Sequence, residues 1–293
     1  MISDITLGQF FPGNSVIHRL DPRTKIILAT FFIVAVFLAS NPLAFSIVAI
    51  SVITLVALSG ISFKVILKGV KPIIFVLIFT AIINIFLTKG ESEPLLSFWK
   101  IAIYKEGIIK AVFISLRVVL LIIGTSVLLT YTTSPISLTD GIESLLSPLK
   151  RIGVPVHTFA MMMTIALRFI PTLIEETEKI MNAQKSRGAD FSSGSLTKRA
   201  KALIPLLVPL FISSFKRADE LATAMECRCY RGDKNRTKLV KLEYKARDFI
   251  WLLLGLLFLG AMITLMIIPP HLAPVFENAP VLYDVLFYKL VKV

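Results

Sequence analysis

One uncharged stretch near the end of the chain decides what kind of protein this is. Residues Phe249–Ile268 read FIWLLLGLLFLGAMITLMII, twenty residues without a charged side chain, and Pro269 and Pro270 follow. A helix of about 20 apolar residues crosses the hydrocarbon core of a bilayer. The stretch therefore predicts a transmembrane helix that ends at the two prolines.

Four earlier stretches share this apolar character, and each is followed by polar or turn-forming residues. They are Ile26–Ser40, Leu43–Ser59, Pro72–Leu87 and Ile108–Thr130. Of the 293 residues, 55% are hydrophobic and 17% are charged, whereas soluble domains carry about 25% charged residues. This composition excludes a disordered chain and a small disulfide scaffold. The predicted fold is all-α, a polytopic membrane protein with about five transmembrane helices and long helices on the cytoplasmic side.

The charges indicate how the chain is oriented. The formal net charge is +13, and residues 179–247 alone hold sixteen Lys/Arg and six Asp/Glu. The segment before the first apolar stretch is also basic, whereas the turn Asn41-Pro42 after it carries no charge. Because Lys and Arg collect in cytoplasmic loops, we expect the N-terminus and the large basic region inside the cell. The tail from His271 to Val293 is then expected outside.

The basic region contains two shorter apolar runs, Phe159–Ile174 and Leu203–Phe215. Both include prolines and lead into polar helical sequence, so we favour long helices along the cytoplasmic face of the membrane. A transmembrane hairpin is the alternative. The second run continues as an amphipathic pattern, with apolar side chains on one stripe of the helix. These stripe residues are Leu207, Phe211, Phe215, Ala222 and Met225.

A weak internal repeat lies in the same region. Ala183–Gly188 and Ala224–Cys229 both read as alanine, three residues, then an arginine between small side chains. Each segment follows a proline-containing helix, and the predicted helix stops are Gly188 and Gly232. A guanidinium is favoured at a helix C-terminus by the helix dipole. Arg187 and Arg228 therefore suit two acidic grooves of a partner, although contacts with water or lipid phosphates explain the pattern as well.

The order of these segments resembles a known family, the transmembrane T component of energy-coupling factor transporters. Those transporters are ABC-type importers of vitamins and transition-metal ions in prokaryotes. The segments that carry the resemblance are Ser15–Lys25, Thr132–Pro135, Leu167–Pro171, Arg217–Ala222 and Ala224–Glu226. The resemblance implies a subunit of the prokaryotic cell membrane that is not itself an enzyme. Its expected partners are the lipid bilayer, two ABC ATPase subunits, identical or paralogous, and a substrate-binding S component.

The resemblance also assigns roles to particular residues. Family members carry two Ala-Arg-Gly tripeptides at the ends of cytoplasmic coupling helices, and here the tripeptides are Ser186-Arg187-Gly188 and Cys227-Arg228-Cys229. These six residues are expected to dock the ATPases, and the apolar stripe is expected to contact the S component. The expected organisation is an N-terminal set of transmembrane helices in residues 1–131, a coupling-helix region in residues 132–247, and a last span with its tail in residues 248–293. No cofactor is expected in this chain, because ATP would be bound by the partner ATPases.

Other classes of protein are less well supported by the sequence. A Walker A motif is absent, and His18, His157 and His271 are too far apart to predict a metal site. Cys227 and Cys229 are interpreted as small packing residues. An enzyme acting on phosphate-bearing lipids is the main alternative, but the adjacent acidic pairs Glu175-Glu176 and Asp219-Glu220 are explained by solvated helix faces or pairing within a helix. Nucleic-acid binding fits the positive charge, but the basic stretch lacks aromatic residues interleaved with its basic ones and lacks a fold motif.

Arg117 is a separate question, because it lies inside the fourth apolar stretch. An arginine at membrane depth is a functional candidate by default. It also stands close enough to the start of that stretch for its side chain to reach the interface. The sequence leaves both interpretations open.

Overall fold

A computed structural model describes residues 10–88, 96–98, 101–189, 191, 195–230, 232 and 242–267. The chain divides into two compact units, which are treated separately. The core unit comprises residues 10–134 and the described residues from 242 onward. The arm unit comprises the described residues between 135 and 232. The predicted tail, residues 271–293, lies outside the described residues.

The described elements are almost entirely helical. The core unit contains α1 Pro22–Leu38, α2 Pro42–Ser59, α3 Phe63–Val70, a 3₁₀ turn Lys71–Ile73, α4 Ile74–Leu87, β1 Leu96–Phe98, β2 Ile101–Ile103, α5 Lys105–Thr125 and a π-helical extension Ser126–Tyr131. The arm unit contains α6 Pro135–Leu146, a 3₁₀ segment Ser147–Ile152, α7 Val156–Ser186 and α8 Leu196–Cys227. The last helix, α9 Ala246–Ile267, belongs to the core unit. Strands β1 and β2 form one short antiparallel hairpin with Leu96 opposite Ile103. The all-α fold class is confirmed.

Local sequence explains where the first helices begin and end. Asp21 caps α1, its carboxylate accepting a hydrogen bond from the Arg23 N–H, and Pro22 occupies the first helical position. Pro42 begins α2 in the same way, and Gly60 ends α2 with a φ of +69°. The left-handed conformation at Gly60 is open to glycine at little steric cost.

Five helical segments are long and apolar enough to cross a membrane. They are Pro42–Ser59, Phe63–Leu87, Lys105–Tyr131, Val156–Ser186 and Ala246–Ile267. The number agrees with the prediction, but the set differs. Helix α1 has 17 residues, short of the roughly 20 that a full span needs, whereas α7 qualifies because Pro171 does not interrupt its 31 residues. By length and composition, the apolar run in α7 therefore also fits the transmembrane alternative.

Helix α1 is the centre of the core unit. It packs against α2, α5 and α9, and its side chains Phe32, Ala35 and Val36 are buried. Two glycines allow this close approach: a Cβ at Gly124 of α5 would overlap the Phe32 ring, and a Cβ at Gly255 of α9 would overlap the Leu28 side chain. The helices are therefore held by close packing of apolar surfaces.

Two polar side chains satisfy backbone groups at the far ends of these helices. An Nη2 atom of Arg117 donates a hydrogen bond of 2.5 Å to the carbonyl of Ala39, just after α1, and the guanidinium lies 5.3 Å from the centre of the Phe45 ring. Nδ2 of Asn41 donates to the carbonyl of Leu265 in α9 at 3.0 Å. Orphan carbonyls at a helix end need such donors when they are buried. The structure thus gives Arg117 a role in closing the end of α1.

Candidate functional site: two arginine-capped helix ends

Helix α7 ends at the first predicted docking tripeptide. Arg187 is the C-cap residue, and Gly188 follows in the left-handed conformation with a φ of +86°. The Gly188 N–H donates to the Lys185 carbonyl at 2.9 Å, and the Ala189 N–H donates to the Gln184 carbonyl at 3.0 Å. This pair of bonds is the Schellman motif. Arg187 is exposed to solvent.

Helix α8 ends in the same way at the second tripeptide. Arg228 is the C-cap residue, and Cys229 follows with a φ of +57°. The Cys229 N–H donates to the Glu226 carbonyl at 2.9 Å, and the Tyr230 N–H donates to the Met225 carbonyl at 3.0 Å. Arg228 is exposed, as are the free thiols of Cys227 and Cys229.

The two helix ends therefore form the same pair of Schellman hydrogen bonds, and each has an exposed arginine at the C-cap position. The predicted stop at Gly188 is confirmed, whereas the predicted stop at Gly232 is wrong. Gly232 also has a positive φ of +73°, but α8 has already ended at Cys227, and the chain reverses at Cys229, three residues before Gly232. Cysteine takes the left-handed conformation here because the Schellman bonds compensate part of its steric cost.

A group of polar side chains joins helices α7 and α8. Oε2 of Glu176 lies 2.6 Å from an Nη2 of Arg217, and Oε1 of Glu176 accepts a hydrogen bond of 2.5 Å from the Ser213 hydroxyl. We call these three residues the clasp. The interpretation of Glu175-Glu176 as a solvated face or an intrahelical pair is wrong for Glu176, because its partners lie on the other helix. Sequence spacing could not reveal a pairing across 37 and 41 positions.

The predicted apolar stripe is largely uncovered. Leu207, Phe211 and Phe215 are each more than half exposed, Ala222 is exposed, and Met225 is partly buried. The rings of Phe211 and Phe215 lie against each other with centroids 4.6 Å apart. A contiguous exposed apolar surface of this kind on α8 is suited to contact with lipid or with another apolar surface.

A second polar cluster, which sequence reasoning missed, lies in the core unit. Asp248 of α9 is 2% exposed and accepts two backbone hydrogen bonds, from the N–H of Asp21 at 2.9 Å and from the N–H of Lys245 at 2.8 Å. These are the N–H groups of the residues that cap α1 and precede α9. One carboxylate thus satisfies orphan donors at the starts of two helices.

Lys25 completes this cluster, which we call the Lys25 cluster. It stands in the first turns of α1, before the apolar run that begins at Ile26, and it is 2% exposed. Its Nζ donates to the Thr132 carbonyl at 2.7 Å and to the Thr133 hydroxyl at 3.2 Å. Burial lowers the pKa of the Lys25 ammonium from 10.5 to about 8, and the nearby carboxylates of Asp21 and Asp248 oppose that shift.

Arg23 extends the cluster to the segment before α9. Its guanidinium donates to the Leu242 carbonyl at 3.1 Å and lies 5.0 Å from the centre of the Tyr244 ring. In the sequence, Arg23 and Lys25 stand out only as part of a basic segment that carries the family resemblance. Two sequence signals could have indicated this cluster: Asp21-Pro22, which is typical of a helix start, and Asp248, an aspartate in the first turn of the last span.

Metal ligation has no candidate group in the described part of the chain, where no three His, Cys, Asp or Glu side chains come together. Nδ1 of His157 lies 2.8 Å from Oε1 of Glu143, within the arm unit. Both ring nitrogens of His18 are engaged locally, with Ser15 and with the Phe11 carbonyl. His271 lies outside the described residues.

These features define a polytopic, predominantly helical membrane protein with two equivalent arginine-capped helix ends. The chain matches the family described as CbiQ, cobalt transport protein, over residues 13–239. It is 55% identical to an energy-coupling factor transporter transmembrane protein of Clostridium kluyveri over 250 residues, which cover 85% of this chain and 92% of the relative. The protein of the same name from Thermosediminibacter oceani is 52% identical over 89% of this chain and 98% of its own length.

The chain belongs to this family, the transmembrane components of energy-coupling factor transporters. The relative from Bacillus subtilis, with the same name, is 49% identical over 85% of this chain and 93% of its own length. Members of the family are membrane components of transporters and not enzymes, so the lipid-enzyme alternative is not favoured. The protein is accordingly a multi-pass membrane protein that works in a complex with other subunits.

Proposed function

We propose that this chain couples ATP hydrolysis by two cytoplasmic ATPase subunits to the movement of a substrate-binding S component. Arg187 and Arg228 would each enter an acidic groove of one ATPase, and the exposed stripe on α8 would contact the S component. The proposed transport substrate is a vitamin or a transition-metal ion, chosen by the S component. The N-terminus and both helix ends are proposed to lie in the cytoplasm.

The matched geometry of the two helix ends is the observation that carries the docking proposal. Two equivalent partner surfaces require two equivalent elements, and the Schellman motifs present Arg187 and Arg228 in the same local backbone. A guanidinium forms strong, directional hydrogen bonds with carboxylates. The small neighbours Gly188 and Cys229 leave room for a groove to close around each arginine.

The exposed stripe supports the second part of the proposal. Phe211 and Phe215 are more exposed than aromatic side chains of a folded domain usually are, and they precede the Arg228 end on the same helix. A displacement of that end is therefore transmitted along one rigid element to the apolar surface. The S component would reorient as this surface slides against it and would release its substrate inward.

Copurification tests the docking proposal. The tagged wild-type chain, extracted from its native membrane in mild detergent, is expected to bring down ATPase subunits in about two copies per chain. The double variant Arg187→Ala/Arg228→Ala is expected to lose most of them, because each docking site loses its charged hydrogen bonds.

The matched control is Lys179→Ala/Lys216→Ala, which removes the same charge from exposed positions of the same two helices. It is expected to retain both ATPases. Retention of ATPases by the arginine double variant, at the level of the control, would refute docking through these ends. Small membrane proteins in the wild-type eluate would identify the S component and with it the substrate.

A further inference from the structure

The clasp lies at a distinctive place on the two long helices. Arg187 comes eleven residues after Glu176 on α7, and Arg228 comes eleven residues after Arg217 on α8. Eleven helical residues correspond to about 16 Å along each axis. The joined pair Glu176–Arg217 is therefore equally far from the two arginine ends.

The clasp restrains one kind of movement more than another. Both carboxylate oxygens of Glu176 are engaged, and their donors Ser213 and Arg217 stand one turn apart on the same face of α8. Sliding either helix along its axis would separate Glu176 from both donors at once. If the angle between α7 and α8 changes by rotation about the clasp, the clasp atoms move little, because they lie on the axis of that rotation.

A small rotation about the clasp would produce a larger displacement at the helix ends. A rotation of about 10° about the clasp displaces a helix end about 16 Å away by roughly 3 Å. Because the two arms are equal in length, both ends move by the same amount. Equal displacements suit two partners that close symmetrically.

We propose that the clasp is the pivot of the two helices, and that Glu176 and Arg217 are positioning residues for the coupling of ATP hydrolysis to transport. This inference rests on the proposed function. Without the clasp, closure of the ATPases would make α7 and α8 slide past each other. ATP would then be hydrolysed with little movement of the apolar stripe.

The test measures substrate taken up per ATP hydrolysed by the complete complex in proteoliposomes. The variants Glu176→Ala and Arg217→Ala are expected to keep both ATPases and most of the ATPase rate, while uptake per ATP falls at least fivefold. Ser213→Ala removes one donor only and is expected to cause a smaller fall. Ser213→Ala leaves the ion pair between Glu176 and Arg217 in place. Its uptake per ATP therefore tests the pivot even if Glu176→Ala or Arg217→Ala prevents folding.

A charge swap separates positioning from a general structural role. In Glu176→Arg/Arg217→Glu the two side chains exchange places with the same combined length, so the ion pair can form again. Uptake per ATP is expected to return to within about twofold of wild type. Glu220→Gln is the matched control, an exposed acid on α8 three residues beyond Arg217, and it is expected to leave the ratio unchanged.

The outcomes separate this inference from the proposed function. An unchanged ratio in Glu176→Ala, a proportional loss of hydrolysis and uptake, loss of the ATPases from the single variants, or a swap as defective as either single change would overturn the pivot. Absence of ATPases from the wild-type complex would instead overturn the proposed function itself.

Discussion

The two units of this protein treat their polar side chains in opposite ways. In the core unit, Lys25 and Asp248 are each 2% exposed, and most of their hydrogen bonds are with backbone groups. In the arm unit, the Arg217 and Glu176 side chains remain 36% and 22% exposed and bond mainly to each other. Buried groups must be fully satisfied, whereas partly exposed groups can exchange partners with water.

The same contrast holds for apolar packing. Phe32, Val36 and Val48 are almost fully buried in the core unit. Among the described residues of the two long arm helices, burial is limited to Val156, Ala160 and Leu206. A unit with little internal packing depends on lipid or on partner subunits for its stability. The core unit is thus held by its own apolar packing, whereas the two long arm helices leave most of their apolar surface uncovered.

The largest expected effect is the loss of Lys25. Lys25→Met fills similar space but leaves the Thr132 carbonyl without its buried donor, so we expect a loss of about 3 kcal/mol in the free energy of unfolding. The measurement is the thermal midpoint of the purified chain in one detergent. Lys64→Met, at an exposed lysine of α3, is the control and should change the midpoint little. Equal midpoints for the two variants would show that the Lys25 cluster does not stabilise the core.

The close packing of α9 on α1 gives the next effect. Gly255→Leu places a side chain where the Leu28 side chain already lies, and overpacking of this kind costs about 1–3 kcal/mol. Gly260→Leu is the matched control on the same helix, because a Cβ there meets no atom within 4 Å. Thermal midpoints should fall for the first variant only. A similar fall in both would mean that helix backbone effects, and not the contact with α1, decide the stability.

The dependence of stability on pH should reveal the buried ammonium. Because the pKa of Lys25 is about 8 in the folded protein and 10.5 when its side chain is solvated, the unfolded chain binds more protons between these pH values. The free energy of unfolding therefore rises with pH across this window, by at most about 1.4 kcal/mol per pH unit. The thermal midpoint of wild type, relative to that of Lys25→Met, should rise between pH 8 and pH 10. A constant difference would contradict the lowered pKa.

The smallest effect is expected at the two helix ends of the arm unit. Cys229→Gly relieves a left-handed conformation and should stabilise the end of α8 by up to about 1 kcal/mol, whereas Gly188→Ala should destabilise the end of α7 by a similar amount. Amide hydrogen exchange in the last turn of each helix measures these changes. The two substitutions are expected to change the stability of their helix ends in opposite directions. A change in the same direction would show that the two motifs are not equivalent.

Local patterns made several features predictable. The apolar stretches form helices, and the Asn41-Pro42 turn and the stop at Gly188 are confirmed, because these features depend on residues close together in the sequence. The set of helices long enough to span a membrane nevertheless differs from the predicted set. The prediction of a stop at Gly232 is wrong because Cys229, held by the Schellman bonds, takes the conformation that glycine usually supplies. Neither the Lys25 cluster nor the clasp has a local pattern. Their long-range partners are separated by 37 to 227 positions, and no periodicity connects them.

The sequence by itself determined a helical membrane protein with two arginine-bearing helix ends, because apolar length, charge asymmetry and the repeated alanine-to-arginine spacing are all local quantities. The tertiary structure decided that Asp248 caps the starts of α1 and α9, that Lys25 holds the Thr132 carbonyl, and that Glu176 joins α7 to α8. The physical reason is that a buried or bridging polar group is specified by its distant partners. Those partners come together only when the helices pack.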